Sequence, residues 1–197
     1  MPPQQAKQTV AVSRFDFITT PLPGLKVVQR KKTEDSRGFL SRFYCAEEFA
    51  ESGIDRPIAQ INHTLTRKKG TVRGLHFQHP PYAEAKLISC MKGEILDIAV
   101  DIRKNSPSFL KWHAEVLSET NHRSLWIPEG FAHGFQTLTN HCELIYLHST
   151  AYVKASEGAI NPLDPMLAIN WPLVITEISE KDKQQPMITL DFSGIEP

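Results

Sequence analysis

From Phe15 to Tyr152 the chain is a succession of short runs rich in Val, Ile, Leu and aromatic residues, punctuated by turn residues at the spacing of a sandwich or barrel. That rhythm leaves little room for a helical core. Leu25 to Val28 follow a Pro-Gly turn, and Lys86 to Met91 and Glu94 to Val100 flank Lys92-Gly93 as the two arms of an expected hairpin. Further strands are predicted over Ala59 to Thr66, Thr71 to Phe77, Leu110 to Leu117, Arg123 to Ile127, Phe131 to Leu138 and Cys142 to Ser149. One amphipathic helix is expected over Ala46 to Ser52, stopped by Gly53, and a second near Glu180 to Gln184, both peripheral. The expected fold class is all-β: two packed sheets in a jelly roll, whose open mouth is a usual place for a small-molecule pocket.

With 197 residues, 41% of them hydrophobic, the chain can bury a core without disulfides or a structural metal. One domain over 15–197 is expected, after a flexible polar segment over 1–14. Lys plus Arg and Asp plus Glu number 22 each, so the electrostatic footprint of a general nucleic-acid binder is missing, while a local basic pocket is allowed. Cys45, Cys90 and Cys142 are widely spaced and read as reduced, buried, small apolar residues of a cytoplasmic protein. The opening MPPQQAKQTV holds no apolar run for a signal peptide, and no 18-residue apolar stretch occurs, so no membrane association is expected.

The chemistry concentrates in a few segments. In Arg73-Gly74-Leu75-His76-Phe77-Gln78 a regular strand places Arg73, Leu75 and Phe77 on one face and Gly74, His76 and Gln78 on the other. His76 is either a satisfied structural residue or a proton carrier. Lys86 opens an otherwise apolar strand, so it either snorkels to water or waits in a pocket for an anion or a polarised carbonyl. Pro128-Glu129-Gly130-Phe131-Ala132-His133-Gly134-Phe135 is a turn and a strand with one histidine, and Gly134 allows a close approach to its backbone. Tyr146, inside Leu144-Ile145-Tyr146-Leu147, is either core packing or an acid. A metal site is disfavoured by ligand count, because Gln78 stands where an H-x-H pair would need its second histidine. A His, a Lys and a Tyr without metal suit proton transfer instead.

At these residues the sequence resembles the dTDP-4-dehydrorhamnose 3,5-epimerase family, cupin-type enzymes that invert stereocentres beside the keto group of a nucleotide-linked 4-keto-6-deoxy sugar. The colinear landmarks are Asp35-Ser36-Arg37-Gly38, Gln60-x-Asn62, Arg73 to Gln78, Lys86, Val100-Asp101-Ile102-Arg103, Trp126 to Phe135, Asp164-Pro165, Ile169-x-Trp171-Pro172 and Ser179-Glu180-Lys181-Asp182. The resemblance implies His76 as base held by Asp182, Tyr146 as acid on the opposite face of the sugar, and Lys86 beside the keto oxygen. It further implies Arg73, His133 and Tyr152 around the sugar, Arg37, Gln60 and Glu143 at the nucleotide half of the substrate, and Asn62 among the substrate-binding residues. Arg37 is implied to reach the partner's site in a strand-exchanged homodimer. No cofactor is implied. The pattern departs at Glu84, where glutamine is common in the family, which adds a negative charge near Lys86.

The expected activity is conversion of dTDP-4-dehydro-6-deoxy-D-glucose to dTDP-4-dehydro-L-rhamnose, an isomerisation in dTDP-L-rhamnose biosynthesis. Its rivals are a 3- or 5-mono-epimerase of another such sugar, a non-catalytic cupin that only binds a sugar nucleotide, and a metal-dependent oxygenase.

Overall fold

The computed structural model describes residues 13–197. The strands are β1 (Phe15–Thr19), β2 (Lys26–Arg30), β3 (Lys32–Asp35), β4 (Gly38–Ser41), β5 (Gln60–Thr66), β6 (Val72–Gln78) and β7 (Lys86–Lys92), followed by β8 (Glu94–Asp101), β9 (Trp112–Ser118), β10 (Arg123–Ile127), β11 (Phe131–Thr137), β12 (Cys142–His148) and β13 (Glu157–Ala159). Two short helices, α1 (Ala46–Glu51) and α2 (Glu180–Lys183), lie where the sequence predicts them. The flexible segment expected over 1–14 falls outside the described residues except for Ser13 and Arg14, and the Arg14 carbonyl accepts from Lys31 N–H at 2.9 Å.

Two antiparallel sheets face each other. One has six strands in the order β1-β2-β10-β7-β12-β5, the other five in the order β13-β6-β11-β8-β9, and β3 and β4 form a separate hairpin. Between the sheets Ile88, Cys90 and Leu144 meet Ile95, Ala99, Phe131 and Phe135. The outer face of the five-stranded sheet is covered as well, by Ile160, Leu167 and Ile195 packed on Leu75, Ile98 and Val100. Phe49 of α1 covers Leu87, Trp126 and Leu147 on the outer face of the other sheet. Burial on both faces is why β7 and β8 read as nearly continuous apolar runs rather than alternating ones.

The same double burial corrects the expected hairpin. β7 pairs with β10 and β12, and β8 with β9 and β11, so the two runs belong to different sheets. Lys92-Gly93 is a corner at which the chain crosses the sandwich. Gly93, at φ +76, carries it, since a Cβ there would stand 2.5 Å from Thr139 Oγ1. β3 and β4 escape the sequence reading because all their residues but Ser41 are exposed, leaving no apolar alternation. Cys90 and Cys142 are buried as expected, whereas Cys45 at the start of α1 is only half-buried.

A second correction concerns β6. His76 pairs with His133 and Arg73 with Phe135, so Gly74 and Leu75 together oppose Gly134 alone. This bulge interrupts the two-residue alternation and brings Arg73 round to the same cavity as His76. It requires two glycines back to back: a Cβ on Gly74, at φ +127, would lie 2.5 Å from Gly134 Cα, and a Cβ on Gly134 would lie 2.6 Å from Arg73 O. The close approach predicted at Gly134 is thus made by the neighbouring strand. Gly134→Ala is expected to cost about 1–3 kcal/mol of stability by overpacking, read as a lower midpoint in chemical denaturation, with a larger loss of turnover because Arg73 and His76 no longer converge.

Candidate active site

A solvent-open cavity of about 240 Å³ lies between the sheets, lined among others by Asn62, Arg73, His76, Lys86, His133, Tyr146 and Tyr152. Seven of the sequence-predicted site residues therefore meet in one place. A second groove shares Arg73 and His76 with it and runs on past Ser179, Lys181 and Asp182.

On the five-stranded side, His76 Nε2 lies 2.8 Å from Asp182 Oδ1. An ionised carboxylate only accepts, so Nε2 carries the proton and Nδ1 keeps its lone pair. Asp182 is buried, which pushes its carboxyl up, but the His76 ring, Gly74 N–H and Ser179 together hold it below the ordinary carboxylate range. Ser179 caps α2 by accepting from Asp182 N–H at 3.0 Å, so a four-residue helix presents the aspartate to a strand more than a hundred residues earlier. His133 is held the same way, with Nε2 2.7 Å from Asp97 Oδ1. Asp97 is fully buried, and that burial pushes its carboxyl up.

Tyr146 stands on the facing sheet. Its ring packs face to face on His148 at 6.0 Å and edge-on to His133 at 6.0 Å. Burial raises its pKa well above the ordinary phenol value, so the hydroxyl stays protonated at any working pH. Lys86 does not snorkel: its side chain is 7% exposed, and Nζ lies 3.0 Å from Glu84 Oε1 and donates to His76 O at 3.2 Å. Cys90, nearby in the core, has its thiol pushed up to about 12 by burial, which makes it inert packing rather than a nucleophile.

Gln78 spends its amide on the backbone, donating to Tyr82 O at 3.0 Å and Ala151 O at 3.3 Å and accepting from Val153 N–H at 2.6 Å. It is a brace of the cavity wall.

Two predicted residues are elsewhere. Glu143 is turned away from the cavity, 3.1 Å from His63 and 3.5 Å from Lys92, because it alternates with Leu144 and Tyr146 on β12 and so shares the outer face with Ile145 and Leu147. Arg37 sits at the tip of the β3–β4 hairpin, its side chain 88% exposed and paired with Asp35 at 2.6 Å. Gln60 is at the rim, donating to Asn62 Oδ1 at 3.2 Å and accepting from Tyr152 N–H at 3.0 Å.

Three polar lining residues, His148, Thr64 and Glu157, carried no role in the sequence reading. His148 is two residues after Tyr146 on one strand, a period that could have placed it on the same face. Thr64 follows from Asn62 by the same rule. Glu157, bonded to Tyr152 Oη at 3.2 Å and paired with Lys181 at 2.7 Å, lies in a segment with no periodicity to reveal it.

Residues 19–189 match the family model described as dTDP-4-dehydrorhamnose 3,5-epimerase. The chain is 42% identical to the dTDP-4-dehydrorhamnose 3,5-epimerase of Salmonella typhimurium over 87% of its own length and 94% of that protein. It is 35% identical to a dTDP-4-dehydrorhamnose 3-epimerase of Streptomyces niveus, over 82% of this chain and 78% of that one. Among solved structures, the dTDP-6-deoxy-D-glucose-3,5-epimerase of Legionella pneumophila in complex with dTDP-4-keto-L-rhamnose superposes with a TM-score of 0.83 at 39% identity, covering 88% of this chain and 92% of that one. With its two-sheet fold and this colinear match, the chain belongs to the dTDP-4-dehydrorhamnose 3,5-epimerase family.

Proposed function

We propose that this protein converts dTDP-4-dehydro-6-deoxy-D-glucose to dTDP-4-dehydro-L-rhamnose by deprotonating and reprotonating the carbons on either side of the 4-keto group. The observation that carries this reading is the opposition of two proton carriers across one cavity: His76, backed by Asp182, on one sheet and Tyr146 on the other.

The carbonyl at carbon 4 acidifies the hydrogens at carbons 3 and 5. Nδ1 of His76 removes one of them, and the electron pair delocalises onto the carbonyl oxygen as an enolate. The Lys86 ammonium stabilises that oxygen. Tyr146 then delivers its phenolic proton to the opposite face of the same carbon, which inverts it, and solvent exchange resets both groups. Asp182 keeps the proton on Nε2 and stabilises the imidazolium that forms. No electron leaves the substrate, so the step needs no redox cofactor. Arg73, His133 and Tyr152 are assigned to the sugar pocket, and Gln60 and Asn62 to its rim. Glu143, outside this cavity, is assigned as the resemblance implies to the nucleotide half of the substrate. Glu157 lines the cavity beside Tyr152.

The cytoplasm, where the nucleotide sugars it would use are made, is the proposed compartment; among the described residues no helix is long and apolar enough to cross a membrane. A homodimer is also proposed. Among the described residues strand β5 is a sheet edge that exposes Ile61 and Leu65, and the β3–β4 hairpin exposes Phe39 and Leu40, so each protomer offers apolar surface for a partner. In that assembly Arg37 serves the partner's nucleotide.

The wild-type protein, without added metal, is expected to feed a 4-keto reductase with the L-lyxo sugar in a coupled assay. His76→Asn and Tyr146→Phe are each expected to lower kcat by about 10²–10⁴-fold with nucleotide binding retained; near-normal turnover in either would remove that residue from its role. Asp182→Asn is expected to reduce turnover and also stability. Because the folded carboxyl sits below its unfolded value of about 3.9, that stability difference is full above this pH and vanishes as pH falls through the folded pKa. Denaturation curves of the pair at neutral and acid pH check the sign. Arg37→Ala is expected to weaken nucleotide affinity in calorimetry, and an unchanged Kd would rule out the contact across the dimer.

A further inference from the structure

Lys86 has three N–H donors, and two are committed, to Glu84 and to the His76 carbonyl. One is left for a substrate oxygen. What fixes its direction is Glu84, and Glu84 is itself the end of a longer chain. Tyr152 N–H donates to Gln60 Oε1 at 3.0 Å, Gln60 Nε2 donates to Asn62 Oδ1 at 3.2 Å, and Asn62 Nδ2 lies 3.4 Å from His148 Nε2. His148 Nδ1 lies 2.8 Å from Glu84 Oε2, and the other carboxylate oxygen takes Lys86.

Both ends of this chain are donors that cannot accept: a backbone N–H and an ammonium. Two amides and a neutral imidazole each pass one hydrogen bond along without changing its direction. The chain can therefore be satisfied only if one member accepts from both sides, and the only member able to do so is Glu84 as a carboxylate. The same count places the His148 proton on Nδ1. Burial pushes the Glu84 carboxyl up, but the His148 hydrogen bond and the Lys86 charge outweigh it and hold the group below its ordinary value, consistent with an ionised acceptor.

We propose that Glu84 and His148 are positioning residues for the epimerisation: Glu84 as the obligatory double acceptor and His148 as a relay protonated on Nδ1 hold the Lys86 ammonium with its single uncommitted N–H available to the cavity, and they tie that orientation to the Tyr152 wall. The inference rests on the reading of Lys86 as the group at the keto oxygen. Glutamine at position 84 has the shape of glutamate but one acceptor. His148 would claim its carbonyl and turn its NH₂ against the ammonium. Removing the His148 ring would free the amide to turn its carbonyl back to Lys86.

Glu84→Gln is accordingly expected to lower kcat by about tenfold or more, as for a misplaced oxyanion partner, with KM changed less than about threefold. Glu84→Gln combined with His148→Ala is expected to recover most of that loss. A Glu84→Gln enzyme with wild-type kcat, or a double variant whose loss is the product of the single losses, would overturn the proposal. Independently of any substrate, the ring ¹⁵N shifts of His148 in the wild-type protein, assigned by their absence in His148→Ala, are expected to report protonation at Nδ1; protonation at Nε2 would overturn it even if a variant failed to fold. Absence of turnover in the wild type would instead indict the substrate, leaving the ¹⁵N measurement to decide the chain.

Discussion

Much of this site depends on the contact of two backbones at Gly74 and Gly134. Neighbouring strands normally hold their side chains apart by alternation, and residues three apart, such as Arg73 and His76, face opposite ways. Where Gly74 and Leu75 meet Gly134 alone, β6 gains one residue and the parity changes. Arg73 and His76 then enter one cavity from one strand. The bulge is possible because neither glycine has a Cβ to keep the strands apart.

Around that point the protein buries ionisable groups, and each is paired. Asp182 meets His76, Asp97 meets His133, and Glu84 meets both Lys86 and His148. Isolated buried charges would cost far more than the fold could offset, whereas paired ones give direction: the ionised Asp182 carboxylate settles which nitrogen of His76 carries the proton. Proton direction matters to this chemistry because inversion needs one group empty and another full, on opposite faces of one carbon. In the proposed mechanism the separation of His76 and Tyr146 onto facing sheets supplies the opposition, and burial keeps Tyr146 neutral.

Most of the β-strands, both helices and the candidacy of His76, Lys86, His133 and Tyr146 were legible in the sequence because apolar alternation, turn residues and polar residues in apolar strands are local signals, while the convergence of those side chains was implied by the resemblance. Several features were not. The Lys92-Gly93 corner has the residues of a hairpin turn, and only the pairing of β7 and β8 with other strands makes it a crossing. The side on which Arg73 falls depends on a bulge set by β11, a strand some sixty residues away. Glu157 was not legible because a three-residue edge strand with no pattern of its own carries it to the cavity. Asp182 could be tied to His76 only by resemblance, since nothing local links a short C-terminal helix to β6.

The central claim is that protons leave and return at the carbons flanking the keto group. It is tested most directly by incubating the protein with dTDP-4-dehydro-6-deoxy-D-glucose in heavy water and following the sugar ring by NMR. The account predicts deuterium at both carbon 3 and carbon 5. Exchange at carbon 3 alone would reduce the activity to that of a mono-epimerase, and a bound substrate that exchanges at neither carbon would contradict the account.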